Sequence, residues 1–310
     1  MKAFGYKTSG APADVFKEVE VSTPTLEEND VLIDVTAFGL NHADAFRREG
    51  YGEGSLLIPG FDVAGIVHAV GSEVHALVVG DPVVAHVEGA GYAEQVAAPV
   101  QTTVKLPTGF PIADAAGLPT VAVTGYNALT AFGQVEAGQT VAILGASGGI
   151  GSIAIQFAKQ LGASRVIGIA REEDLDYVRQ LGADDVATYQ QVTEEEQFAN
   201  TADVVINVNY LGGHSDAMIA LAKLGSVVAT VGRANADTDK PNVEMVHIHP
   251  LGSSAVHSAM QGLKQLIDSG TLSVRIARRF PFTLAGVIAA SELNENGHTD
   301  GRIIVDKAAK

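Results

Sequence analysis

The 310-residue sequence contains no cysteine, which removes disulfides, thiolate nucleophiles and cysteine-based zinc sites together. Positive charge is scarce as well: 20 Lys and Arg stand against 36 Asp and Glu, a formal net charge of −16. A chain with that balance repels phosphate backbones and anionic lipid, so nucleic acid and membrane surfaces are poor partners and small molecules better ones. No apolar run approaches the roughly 20 residues that span a bilayer. The opening MKAFGYKTSG is not an apolar signal segment, and the expectation is a cytoplasmic protein. No internal repeat or low-complexity segment is evident. What is present is a length sufficient for two domains and a composition of 46% hydrophobic and 18% charged residues, the proportions of a packed chain rather than a disordered one.

From Met1 to about Pro119, short β-rich runs such as VLIDVTAFGL and VAGIVHAVG are separated by Gly, Pro, Asp and Asn turns, and long helical patterns are scarce. From about Thr120 the texture changes. VAILG, RVIGIA, DVVINV and SVVATVG read as buried parallel strands, separated by helix-like GSIAIQFAKQLG and DLDYVRQLGA. That alternation predicts a doubly wound α/β sheet. After Pro250 the order becomes helix (SSAVHSAMQGLKQLIDSG), strand (VRIARRFPF), helix (LAGVIAASELNENG) and strand (GRIIVDK), which breaks the βαβα pattern. The last fifty or so residues therefore return to the first domain. The expected division is 1–120 with 255–310 as one domain and 121–254 as the other.

The segment TVAILGASGGIGSIAIQFAKQLGA, Thr140 to Ala163, places a glycine cluster between a buried strand and an amphipathic helix. In a dinucleotide-binding turn, Ala146 would make the tight turn, Gly148 would admit a pyrophosphate to the backbone, and Gly151 would let helix and sheet pack closely. The helix start, with Ser147, Gly149 and Ile150, would supply unpaired N–H donors and a favourable dipole. The competing reading is that the glycines mark only a tight strand-to-helix turn. About twenty residues beyond Gly151, where an acidic residue takes the ribose hydroxyls in NAD-binding turns, stands Arg171. Its guanidinium suits a 2′-phosphate, pointing to NADP(H). Against this, Glu172 or Glu173 could turn inward, and Arg171 could simply cap a solvent-exposed loop.

Several motifs in order, GLNHAD (39–44), IPGFDVAGIVHAVGSEV (58–74), VVGDPVVA (78–85), GYAEQVAAP (91–99), LPTVAVTGYNAL (118–129) and GASGGIG (145–151), make nearly the whole chain resemble the medium-chain dehydrogenase/reductase superfamily. The resemblance is to its zinc-free, quinone oxidoreductase-like branch. It implies a GroES-like β-rich catalytic domain built from both chain ends, a central Rossmann domain, and an active site in the cleft between them. In zinc-dependent relatives a cysteine takes the place of Asn41, a histidine that of Phe61, and a glutamate that of Asp62. This sequence has neither of the first two ligands, and the four-cysteine structural zinc lobe is also missing. His247 and His249 share one strand face and His42 adjoins Asn41, but no third ligand stands at a recognisable spacing, so no metal site is expected.

Without a Lewis acid, reduction of a soft acceptor is easier than alcohol oxidation. Hydride from nicotinamide C4 can attack a quinone or the β-carbon of an enone, with charge developing on a carbonyl oxygen. Asn41 is the candidate donor to that oxygen or to the nicotinamide carboxamide; its alternative is a turn residue. By resemblance Tyr51 lines the substrate cleft and Thr124 lies near the nicotinamide. Resemblance also places Asn207 and Val208 on the adenosine and ribose side, Val231, Gly232 and Arg233 near the nicotinamide ribose, and Tyr189 at the 2′-phosphate end. In relatives the strand VEMVHIHPLG pairs with its copy in a second subunit, implying a homodimer. The expected function is NADPH-dependent reduction of a quinone or α,β-unsaturated carbonyl. An alcohol dehydrogenase-like enzyme and a non-catalytic NADPH-binding module remain as alternatives.

Overall fold

Valine- and isoleucine-rich runs such as DVLIDVTAFG and DVAGIVHAV alternate residues between two faces, and pairing them antiparallel buries their apolar sides together. The computed structural model describes residues 1–209, 212–231, 238–296 and 299–309. In chain order its strands are β1 (Lys2–Thr8), β2 (Lys17–Glu20), β3 (Asp30–Gly39), β4 (Glu53–Leu57), β5 (Asp62–Val70), β6 (Pro82–His86), β7 (Gln95–Pro99) and β8 (Thr103–Lys105). These are followed by β9 (Thr140–Leu144), β10 (Arg165–Ile169), β11 (Asp185–Ala187), β12 (Ala202–Asn207), β13 (Ala222–Thr230), β14 (Glu244–His247), β15 (Ile276–Pro281) and β16 (Arg302–Asp306). Helices needed below are α1 (His42–Glu49), α2 (Pro119–Asn127), α3 (Gly149–Gln160) and α4 (Ser215–Leu221).

Contacts divide the chain into two units: Met1–Thr120 with Val256–Asp268 and Val274–Lys310, and Val121–Ala255 with Ser269–Ser273. In the first, a seven-stranded sheet runs β15-β16-β3-β5-β6-β8 with β7 also on β3, beside a three-stranded sheet β2-β1-β4. The C-terminal strand reaches this sheet by pairing antiparallel with β3, Val305 opposite Phe38. Rings fill the core: Phe38 stacks on Tyr92 at 4.2 Å and 19° and meets Phe282 edge-on at 5.4 Å.

The second unit is a six-stranded sheet, all parallel, in the order β11-β10-β9-β12-β13-β14. The strands fan outward in two halves from the β9/β12 junction, the switch point at which open α/β sheets bind ligands. β11, only three residues long, is not signalled by an apolar run in the sequence. Among the described residues no helix is long and apolar enough to cross a membrane.

Phe38 is completely buried, so Phe38→Ala is expected to cost about 3–5 kcal/mol of unfolding free energy. Urea denaturation measures it; a loss below about 1 kcal/mol would show that the ring stack does not organise this core.

Candidate functional site

In the second unit β9 ends at Leu144 and the chain turns at once into α3. The turn residue is Gly145, with φ +79°, so the role expected of Ala146 falls one position earlier, where only a residue without Cβ adopts that backbone freely. Ala146 is instead wholly buried. The Gly145 and Ala146 N–H groups both donate to the Ile169 carbonyl, at 3.1 and 3.0 Å. Gly151 is required by close approach: a Cβ there would lie 2.1 Å from the Gly145 carbonyl oxygen. At Gly148, exposed and N-terminal to α3, a Cβ would meet only that same oxygen, at 3.3 Å. The backbone of Ser147 to Gly151 therefore offers a helix start whose first-turn N–H groups have no intrahelical acceptors, open at Gly148.

α2 crosses α3 at this point. A Cβ on Gly125 would lie 3.3 Å from the Ile150 carbonyl oxygen and 3.5 Å from the Ala154 nitrogen, which sets half-buried Thr124 beside the first turn of α3. Tyr126 packs edge-on against Phe157 at 5.3 Å.

A polar chain holds the glycine turn from behind. The Tyr189 hydroxyl accepts from the Gly145 N–H at 3.1 Å and donates to Asn209 Oδ1 at 3.0 Å. Burial raises the Tyr189 pKa, opposed by the bonds to Asn209 and Gly145 and by the Arg171 charge. Its ring stacks on His214 at 3.8 Å and 20°. Asn207 is fully buried; its Oδ1 accepts from the Asn209 N–H and Nδ2, and its Nδ2 reaches the Gly213 carbonyl at 2.9 Å. Asn207, expected on the adenosine and ribose side, has its side chain pointing inward, where it ties down the segment after β12. Val208 and Val231 flank it, their N–H groups bonded to the Leu144 and Asn207 carbonyls. Arg171 follows β10, half exposed, with Nη2 3.0 Å from Asp174 and Nη1 3.3 Å from Glu173. The expected Gly232 and Arg233 lie outside the described residues.

In the first unit Asn41 precedes α1 and is 5% exposed. Both ends of its amide are engaged: Nδ2 donates to Asp62 Oδ2 at 3.0 Å, and Oδ1 accepts from Arg302 Nη2 at 2.6 Å. The flanking charges thus fix which way the amide faces. Arg302 also donates to the carbonyls of Gly117 (2.7 Å) and Leu40 (3.0 Å), and Thr120 donates to Asp62 Oδ1 through N–H and hydroxyl. Burial pushes the Arg302 pKa down, while Asp62 and Asp44 pull it back. Phe61 carries the Arg47 guanidinium 5.6 Å above its ring and the His86 imidazole alongside. Burial lowers the pKa of both His86 and His42. Tyr51 packs edge-on against Tyr6 at 5.6 Å, and its hydroxyl donates to the Ser55 carbonyl at 2.5 Å.

Two family models match: "Alcohol dehydrogenase GroES-like domain" over residues 27–108 and "Zinc-binding dehydrogenase" over residues 149–269. The chain is 33% identical to the chloroplastic NADPH-dependent alkenal/one oxidoreductase of Arabidopsis thaliana, across 98% of this chain and 79% of the relative. The chain belongs to the medium-chain dehydrogenase/reductase superfamily, in its quinone oxidoreductase-like branch. Among solved structures, the quinone oxidoreductase of Coxiella burnetii superposes with a TM-score of 0.79 at 28% identity, covering 99% of both chains. A mycobacterial protein complexed with NADPH superposes with a TM-score of 0.79 at 25% identity, over 99% of this chain and 100% of that one.

The zinc that one family model names has no fitting donor set among the described residues. Asn41 and Phe61 present an amide and a phenyl ring, and Asp62 is committed to Asn41, Thr120 and Arg302. Among the described residues no three His, Asp or Glu side chains come together as cation ligands. Each unit also holds side chains that the reading of the sequence did not mark: in the first, Arg302 and Thr120 around Asp62; in the second, Asp174 on Arg171, and Asn209 and His214 around Tyr189. Of these only Asp174, three residues after Arg171, carried a local signal.

Asp44, three residues after Asn41, accepts the Asn41 N–H at 2.9 Å through Oδ2. Burial pushes its carboxyl up to about 7, with Asp62 adding to the rise and the Asn41 N–H opposing it. The folded protein thus favours the protonated acid. The stability this confers is complete below the ordinary carboxylate range near 4 and is lost as pH rises through about 7. Asp44→Asn, neutral throughout, should gain stability over the parent between pH 5 and pH 8, on the order of 1–3 kcal/mol, in urea titrations. A difference independent of pH would show that Asp44 does not titrate in this range.

Proposed function

We propose that the chain is an NADPH-dependent oxidoreductase that reduces a quinone or an α,β-unsaturated carbonyl compound without a metal ion. The observation that carries this reading is the turn from β9 into α3, with its close Gly145–Gly151 approach and open helix start. The relatives named for NADPH, alkenals and quinones support it. The two contact units correspond in this reading to a catalytic domain and a dinucleotide-binding domain.

Each assigned residue has a role that its surroundings favour. The backbone of Ser147, Gly148, Gly149, Ile150 and Gly151 binds the pyrophosphate, because a helix start concentrates N–H donors and positive dipole, with buried Ala146 backing it and its own N–H spent on the Ile169 carbonyl. Val208 and Val231 form apolar walls at the strand ends, and Gly232 and Arg233 keep the nicotinamide-ribose role that the family resemblance implies for them. Asn207 and Tyr189 act from behind, holding the turn and the segment after β12. Arg171 takes the 2′-phosphate, and Thr124, beside Ile150, faces the nicotinamide side.

Bound NADPH supplies a hydride from nicotinamide C4. Negative charge then gathers on the acceptor's oxygen, and Asn41 is the group assigned to meet it. One Nδ2 hydrogen is spent on Asp62 and Oδ1 is held by Arg302. The second Nδ2 hydrogen therefore has a fixed direction before any acceptor arrives, which is what makes such a donor effective. Tyr51 contributes its ring to the acceptor's surroundings, its hydroxyl being engaged by Ser55. The reading also places the protein in the cytoplasm, testable by cell fractionation. β14 pairs only with β13 among the described residues, and its open edge supports a homodimer, to be checked by sedimentation at micromolar concentration.

The deciding experiment follows NADPH and NADH oxidation against quinones, enones and aldehydes, with metal analysis of the same preparation. Expected are NADPH preference, turnover of a quinone or enone, and no stoichiometric zinc. Bound zinc with NAD-linked alcohol oxidation would favour an alcohol dehydrogenase-like enzyme, and coenzyme binding without turnover a non-catalytic module. Asn41→Ala, if its Tm shows it folded, should lower kcat about 10²-fold. Unaltered turnover would remove Asn41 from the reaction.

A further inference from the structure

Arg171 leaves β10 two residues after Ile169, whose carbonyl receives the Gly145 and Ala146 N–H groups. Its guanidinium therefore emerges beside the glycine turn, close enough to Tyr189 for its charge to act on that hydroxyl. Among its partners are two carboxylates that differ in kind. Asp174 is 4% exposed and bonds Nη2 at 3.0 Å; Glu173 is 64% exposed and stands 3.3 Å from Nη1. Asp174 is also tied to Arg171 through the backbone, its N–H donating to the Arg171 carbonyl at 3.0 Å.

We propose that Asp174 is a positioning residue for 2′-phosphate recognition, aiming the Arg171 guanidinium, and that Glu173 is an anion the 2′-phosphate displaces from it. The inference rests on the reading of Arg171 given above and deepens it into a mechanism of coenzyme selection. A buried carboxylate gives up a bonded cation less readily than an exposed one, since water does not replace the contact. Asp174 thus holds the Nη2 end through the binding event and fixes the plane in which the guanidinium lies. Glu173 leaves easily, because an exposed carboxylate is rehydrated at once and an exposed pair is weak. A coenzyme with a 2′-hydroxyl displaces nothing and can donate to Glu173. Discrimination therefore draws on a ligand, a fixed support and a removable competitor.

The test measures dissociation constants of NADP+, NAD+, 2′,5′-ADP and 5′-AMP by calorimetry on the full chain and on D174N, E173Q and R171A, each checked for an intact thermal transition. D174N should weaken NADP+ and 2′,5′-ADP about fivefold or more while NAD+ and 5′-AMP change less than about twofold. E173Q, at an exposed position, should tighten NADP+ by about two- to fivefold with 5′-AMP unaffected. Should D174N fail to fold, E173Q alone decides. Equal weakening of all four ligands by D174N marks a merely structural residue and overturns the proposal, as does unchanged NADP+ affinity in E173Q. If R171A binds NADP+ as well as the parent, the Arg171 reading itself fails. If R171A loses the preference while D174N and E173Q keep it, only the present inference falls.

Discussion

The Arg302 guanidinium, delivered by the last strand, sits among the carbonyls of Leu40 and Gly117, the Asn41 amide oxygen and the Asp62 carboxylate. This one cation sets the geometry of the candidate site in the first unit. It makes a buried Asp62 tolerable, dictates which face of the Asn41 amide presents nitrogen, and fastens β16 to the residues just before α1. A buried cation with this many acceptors is costly to disturb, because removing any one partner leaves a charge or carbonyl unsatisfied in a medium that cannot solvate it. The same arrangement bears on the metal question. A carboxylate already shared by a guanidinium, an amide and a threonine is a poor zinc ligand, and its neighbours at 41 and 61 are not ligands of the usual kind.

The second unit is governed by steric economy rather than charge. Gly151 lets α3 come so near the end of β9 that no other residue fits against the Gly145 carbonyl. That approach turns the helix start toward the open switch point of the sheet. Behind it, Tyr189, Asn209 and Asn207 satisfy polar groups that would otherwise be buried without partners. The front of the turn is left as bare backbone, and the charged residue nearby, Arg171, comes from the adjacent strand.

Local pattern carried most of the architecture. Apolar runs and their spacing marked β9, β10, β12 and β13 as a parallel set. The broken alternation after Pro250 marked β15 and β16 as belonging elsewhere, and β16 pairs with β3. The three-residue β11 left no such mark, being too short for periodicity to register. The glycine turn was legible because its requirement is on the backbone, although the positive φ sits at Gly145 and not at Ala146.

Side-chain direction was the level at which reading from sequence ran out. Asn207 stands at a strand end, where ligands are met, yet the register of β12 turns it inward. Asn41 was visible as an amide in a chemically suggestive place, but its partner Arg302 lies 261 residues away, beyond any local signal. The sequence by itself determined the alternation of the longer strands and helices, the glycine turn and the absence of a cysteine-based metal site, since each depends on residue type and short-range spacing. The tertiary structure alone decided which polar side chains are spent on one another, because that follows from the close packing of distant segments, where a buried group must find a partner wherever the fold brings one.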